Sequence, residues 1–156
     1  MTSVKGGILA SGDLLQLERS QQVESRMVFR CRDGSLYDET VRFTRDQNFT
    51  LQNYHLVQRG PAFDTDTEVS LERSSGKYRV STEAHNDGRK QVLNGTLDLP
   101  LDVYNGMVIM VAKNFPKGAT KTIHVVAFTP KPRVIQLECA PEGEHENAKK
   151  LQSAMC

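Results

Sequence analysis

Asp33, Asp38 and Glu39 are the residues whose types and spacing come nearest to chemistry. They gather three carboxyls around an Asp-Gly-Ser turn. Paired carboxylates can share a proton in general acid–base work, or bind calcium through oxygen. A plainer reading competes and is preferred: Asp33 shapes the turn through its own backbone hydrogen bond, and the others face solvent. The chain has four histidines, His55, His85, His124 and His145. None forms an i, i+4 pair with a glutamate, and none has a short metal-type spacing to a cysteine. His124 lies in an apolar strand and reads as a hydrogen-bonded structural residue. Glu142, Glu144, His145 and Glu146 make the sharpest metal-like pattern, yet a solvated acidic run explains them as well. No nucleophile elbow, P-loop or dinucleotide fingerprint occurs. Arg133 follows Pro132 and is expected to pair with Glu39 or Asp102, with an anionic ligand as the alternative. The expectation is a non-enzymatic protein with no cofactor and no metal.

The elements that must position these groups are mostly strands. Val23–Cys31 alternates apolar and polar residues, as a half-buried strand does. Asp33-Gly34 then turns the chain into a return strand, Leu36–Thr44. There Tyr37, Glu39, Val41 and Phe43 share one face, so Glu39 needs a partner. Arg26 or Arg30 across the hairpin is expected to supply it. Further strands are read at Ile8–Leu17, Phe49–Val57, Glu68–Arg73, Lys77–Thr82, Lys90–Leu97, Thr120–Phe128 and Arg133–Cys139. A change of phase predicts a bulge near Asn53-Tyr54. Asp46-Gln47-Asn48 reads as a turn. This rhythm predicts a mainly β fold: a curved antiparallel meander, or a partly open β-barrel.

One stretch breaks the rhythm. Leu97–Phe115 is the only segment apolar enough for a buried helix. Asp98 can cap it, Pro100 suits its first turn, and Asp102 suits its positive end. Tyr104, Val108, Val111 and Phe115 fall on one helical face. Lys113 and Asn114 suit its last turn, and Pro116-Lys117-Gly118 stops it. A hairpin turning at Asn105-Gly106 is the rival reading. In a helix, Gly106 is a weak point or admits a neighbouring strand. The predicted helix would cover the curved sheet as a lid.

The chain has 156 residues, 38% hydrophobic and 25% charged, which suits one soluble domain with a real core. That domain is expected over residues 8–140, with 141–156 a polar, disordered tail. The net charge of +1 offers no handle for nucleic acid or a membrane surface. No signal peptide and no membrane-spanning run is visible. The three cysteines, Cys31, Cys139 and Cys156, make neither a disulfide framework nor a zinc site. Cys31 and Cys139 could neighbour each other in a sheet; core roles are preferred, with Cys156 a free thiol.

The pieces CRDGSLYDETVRF, QRGPAF, LDLPLDVYNGM and FTPKPRVIQLECAPEGE resemble an uncharacterised bacterial β-rich family. The wider group is similar to DUF3108 and lipoprotein-carrier-like proteins of the cell envelope. The resemblance spans Ser11 to Glu144. Its members continue beyond PEGE and begin with an export signal, so this chain is expected to be truncated. The resemblance implies a cell-envelope or periplasmic setting and no catalytic residues. Two functions follow as expectations. The first is a non-catalytic binding module for an apolar or lipid-like ligand, lined by Tyr104, Met107, Val108, Val111, Phe29 and Phe43. The second is a structural or interaction module whose exposed sheet edges pair with a partner or a second copy.

Overall fold

The computed structural model describes residues 9–45, 49–114 and 120–139. The tail over 141–156, the turn at Asp46-Gln47-Asn48, Phe115, Pro116-Lys117-Gly118, His145 and Cys156 all lie outside the described residues. Seven strands form one antiparallel meander in chain order: β1 (Ala10–Arg19), β2 (Gln22–Cys31), β3 (Leu36–Arg45), β4 (Phe49–Arg59), β5 (Thr65–Glu72), β6 (Lys77–Ala84) and β7 (Lys90–Thr96). A helix α1 (Val108–Lys113) follows, and then β8 (Lys121–Ala127) and β9 (Arg133–Cys139) pair as a separate two-stranded sheet. The large sheet is not closed into a barrel: among the described residues, β1 and β7 are its edge strands.

Alternation sorts the sheet into two faces. Register sets Met27 opposite Glu39, Ser25 opposite Val41 and Val23 opposite Phe43. Tyr54 lies beside Val41, and Leu56 beside Glu39. These residues, with Val69, Leu71 and Val80, face inward and are buried or nearly so. A bulge keeps the pattern in phase. Arg42 opposes Asn53 while Phe43 opposes Leu51, so Gln52 is the extra residue. The bulge falls one position before the expected Asn53-Tyr54, and it lets both Leu51 and Tyr54 point into the core.

The inner face is covered by the segment around α1 and by β8. Val103, Tyr104, Met107, Val111, Ile123 and Val126 complete one hydrophobic core with the sheet. The helix, however, is six residues long rather than the expected Leu97–Phe115. Asp98, Pro100 and Asp102 therefore cap nothing. Asp102 and Val103 run beside β8 as a short parallel bridge: the His124 N–H donates to the Asp102 carbonyl, and the Tyr104 N–H to the His124 carbonyl. Asn105 extends that pairing with its side chain. Its Nδ2 donates to the Val126 carbonyl at 2.9 Å, and its Oδ1 accepts the Val126 N–H at 2.7 Å. These tertiary bonds outweigh the local helix signals, and they exclude the hairpin reading too.

Gly106 has φ +69°, the left-handed region that glycine tolerates best. An added Cβ there would sit 3.3 Å from both Glu39 Cδ and Val41 Cβ. The segment thus lies directly on β3, which is the close approach one reading of Gly106 required. The end of α1 follows the sequence reading more closely. Lys113 stands in the last turn, and Asn114 Nδ2 donates to the Met110 carbonyl at 2.8 Å.

Candidate functional site

The three carboxyls of the Asp33 turn are not brought together. Asp33 Oδ1 accepts the Ser35 N–H at 2.9 Å, and this bond holds its carboxyl below the usual range. Asp38 and Glu39 are adjacent on β3, so their side chains leave on opposite faces. Asp38 lies outside, where Arg26 donates to it twice, at 2.9 and 2.6 Å. Those bonds lower the Asp38 pKa.

Glu39 lies inside, and the expected partners Arg26 and Arg30 cannot reach it. Register places Met27, not Arg26, opposite Glu39, so both arginines project from the other face. Arg30 instead stands 3.6 Å from Asp13. Glu39 accepts the Tyr54 hydroxyl at 2.8 Å and a bond from Tyr37. Burial pushes its pKa up against the effect of both bonds, and it pushes Tyr54 and Tyr37 up as well.

The other polar residues mostly lock loops. His124 Nδ1 and Asp102 Oδ1 lie 2.8 Å apart. Ser35 is buried, and its Oγ accepts the Ala62 N–H at 2.8 Å. The Gly60 N–H donates to Asp66 at 2.8 Å, and this bond with His85 beside it lowers the Asp66 pKa. Arg133 pairs with neither Glu39 nor Asp102. It donates to the Thr129 and Lys131 carbonyls of its own turn. Cys31 and Cys139 belong to different sheets, and no disulfide joins them. Among the described residues, no group of three or more His, Cys, Asp or Glu side chains is placed to hold a metal. Among them too, no helix is long and apolar enough to cross a membrane.

Four of the expected ligand-lining residues, Phe43, Tyr104, Met107 and Val111, are core residues no more than 5% exposed. Val108 packs against that core. Phe29 contacts Tyr37, with ring centroids 6.2 Å apart. None of the six lines the open groove of about 850 Å³ on the outer face of the sheet, where Arg42, His55, Glu72, Lys77, Arg79 and Asn94 project.

From the sequence, β1 is only a strand over Ile8–Leu17 with a break or bulge at Ser11-Gly12-Asp13; in the structure it pairs with β2 from Ala10 to Arg19 without a register shift. A two-residue turn at Ser20-Gln21 joins it to β2 as a hairpin: Ser20 has φ 57°, the positive value that tight hairpins favour. Phe29 lies over Gly12, where an added Cβ would be 2.3 Å from the ring. Beyond Ala10, every residue of β1 is exposed. Leu14 is 64% exposed, Leu15 57% and Leu17 46%, on both faces of the strand. Among the described residues, the covering layer leaves Ser11–Arg19 exposed, and the Gln16 side chain donates to Met110 Sδ at 3.0 Å.

The free backbone groups of β1 can be assigned. The Arg32 N–H donates to the Leu9 carbonyl at 2.8 Å, continuing the β1–β2 register at an odd-numbered position. In an antiparallel ladder hydrogen-bonded pairs alternate. The N–H and C=O groups of Gly12, Leu14, Gln16 and Glu18 therefore point away from β2, toward the open edge. By contrast β7 is seven residues long and bears Lys90, and a short strand with a lysine makes a blunted edge.

Compared with models of known families, with curated proteins and with solved structures, the chain matches none.

Proposed function

We propose that this protein is an interaction module that takes up an extended segment along β1. One observation carries the reading: a ten-residue edge strand is exposed from Ser11 to Arg19 and bears three exposed leucines. Unpaired strand groups are a template for another strand. Main-chain bonds would supply affinity, and alternate side chains would supply choice of partner. Leu14 offers apolar contact on one face, and Leu15 and Leu17 on the other.

Peptides selected from a random displayed library give a direct test. Bound peptides are expected to slow hydrogen exchange at the Gly12, Leu14, Gln16 and Glu18 amides. Binders that leave those four amides unprotected, or that perturb the outer groove instead, would overturn the reading.

The apolar-ligand reading stands second. A lipid-like molecule between helix and sheet would have to displace Tyr104, Met107 and Val111 from the core they already fill. Native mass spectrometry of gently purified protein addresses it, and protein that is always empty counts against it.

A further inference from the structure

We infer that β1 pairs antiparallel with β1 of a second copy, with Gln16 opposite Gln16 at a two-fold axis. The inference rests on the edge reading above and names its partner. Three features of the strand carry it.

The first is backbone parity. In an antiparallel pair, residues facing each other share a side and alternate between bonded and unbonded pairs. The outward groups of β1 are the even-numbered ones. Centring on Gln16 sets even residues opposite even residues, Leu14 against Glu18 and Gln16 against itself. Outward donors then meet outward acceptors along the strand.

The second is charge. In this register Asp13 of each copy faces Arg19 of the other. The Asp13 side chain is 84% exposed, and among the described residues its ion-pair neighbour, Arg30, stands 3.6 Å away. No acid lies within ion-pair distance of Arg19 among the described residues, and Arg19 is exposed. Glu18, which would face Leu14, is already neutralised by Arg45 of its own chain.

The third is apolar contact. Leu15 faces Leu17 of the second copy on the same side of the sheet, twice by symmetry. Moving the axis to Leu15 places Asp13 opposite Leu17, and moving it to Leu17 places Leu15 opposite Arg19. Either shift keeps the backbone parity but loses the charge match, and it leaves one leucine pair, Leu15 or Leu17 with itself, in place of two. A self-complementary pattern about a single residue is what a two-fold interface requires.

The test is sedimentation of wild-type protein, Asp13→Arg, Arg19→Asp and an equimolar mixture of the two variants. Wild type is expected to dimerise with rising concentration. Each variant alone faces like charges twice and should bind itself at least about tenfold more weakly. The mixture should recover wild-type affinity, because each introduced charge then faces its opposite on the other variant, as do the native Asp13 and Arg19 that remain; misfolded variants could not do this. Oxidised Gln16→Cys protein should give a disulfide between the two introduced thiols, since bonded pairs stand about 5.5 Å apart at Cα. A wild-type protein monomeric at all concentrations would overturn the inference. If selected peptides still protected the β1 amides, the edge reading would stand with a different partner. Dimers unaffected by either charge reversal would also overturn it, by placing the interface elsewhere.

Discussion

Glu39 shows how a single residue can be dictated by fold rather than by chemistry. It is a buried carboxyl held by two phenols, with no cation within ion-pair distance among the described residues. Its folded pKa is raised above the ordinary value by burial. The folded state therefore holds this proton more tightly than the unfolded state does. The resulting stabilisation is fully present below the unfolded pKa and is lost as pH rises through the folded value. Glu39→Gln keeps an oxygen for the Tyr54 hydroxyl and removes the buried charge. Its melting temperature should exceed that of wild type at pH 7, and the gap should close toward pH 4. Glu39→Leu strands the Tyr54 hydroxyl and should cost about 1–3 kcal/mol instead. Thermal melts across pH decide both. Alternation along β3 already placed Glu39 inward; its partners were not legible, because they depend on strand register and on β4.

At the scale of elements, the stretch leading into α1 is held by side chains that behave as backbone. Asn105 supplies a donor and an acceptor to Val126, and both bonds are buried. Asn105→Ala leaves the Val126 N–H and C=O without partners, at about 1–3 kcal/mol each. Urea melts should show that loss, and β8 amides should exchange faster. Helical spacing at Tyr104, Val108 and Val111 suggested a longer helix. Spacing reports which residues are buried, but Tyr104 is buried as part of a loop. The edge strand yields a paired prediction. Gln16→Pro removes an outward N–H and spares the β1–β2 ladder, so the fold should tolerate it while partner binding is lost. Leu15→Pro removes a ladder donor and should lower stability by about 1 kcal/mol or more. Chemical melts and sedimentation separate the two effects.

For the whole molecule, one core lies between a long meander and a smaller covering layer, and protection should follow that cover. Amides of β3, β4 and β5 sit in the middle of the sheet over Val41, Leu51 and Val69. They are expected to exchange last, near the global unfolding rate, while the outward amides of β1 exchange first. Uniform protection from β1 to β5 in monomeric protein would contradict this picture. The motifs that stand out in the sequence do structural work at this scale. Asp33 and Ser35 tie the β2–β3 turn to the Gly60–Ala62 loop. Asp102, Asn105 and Gly106 seat the α1 segment on β8 and β3.

What the amino-acid order determined by itself was local. Alternating residues and Asp, Asn and Gly turns specify strands and their order, because side-chain period and turn geometry act over a few residues. The meander and its neighbours followed from that. Only the tertiary structure decided which face was covered, where the covering layer stopped and which polar groups met across it. Those outcomes depend on pairing between residues far apart in the chain: Asn105 with Val126, Glu39 with Tyr54, and β1 left without cover. No periodicity along one strand records how far a second layer reaches over it.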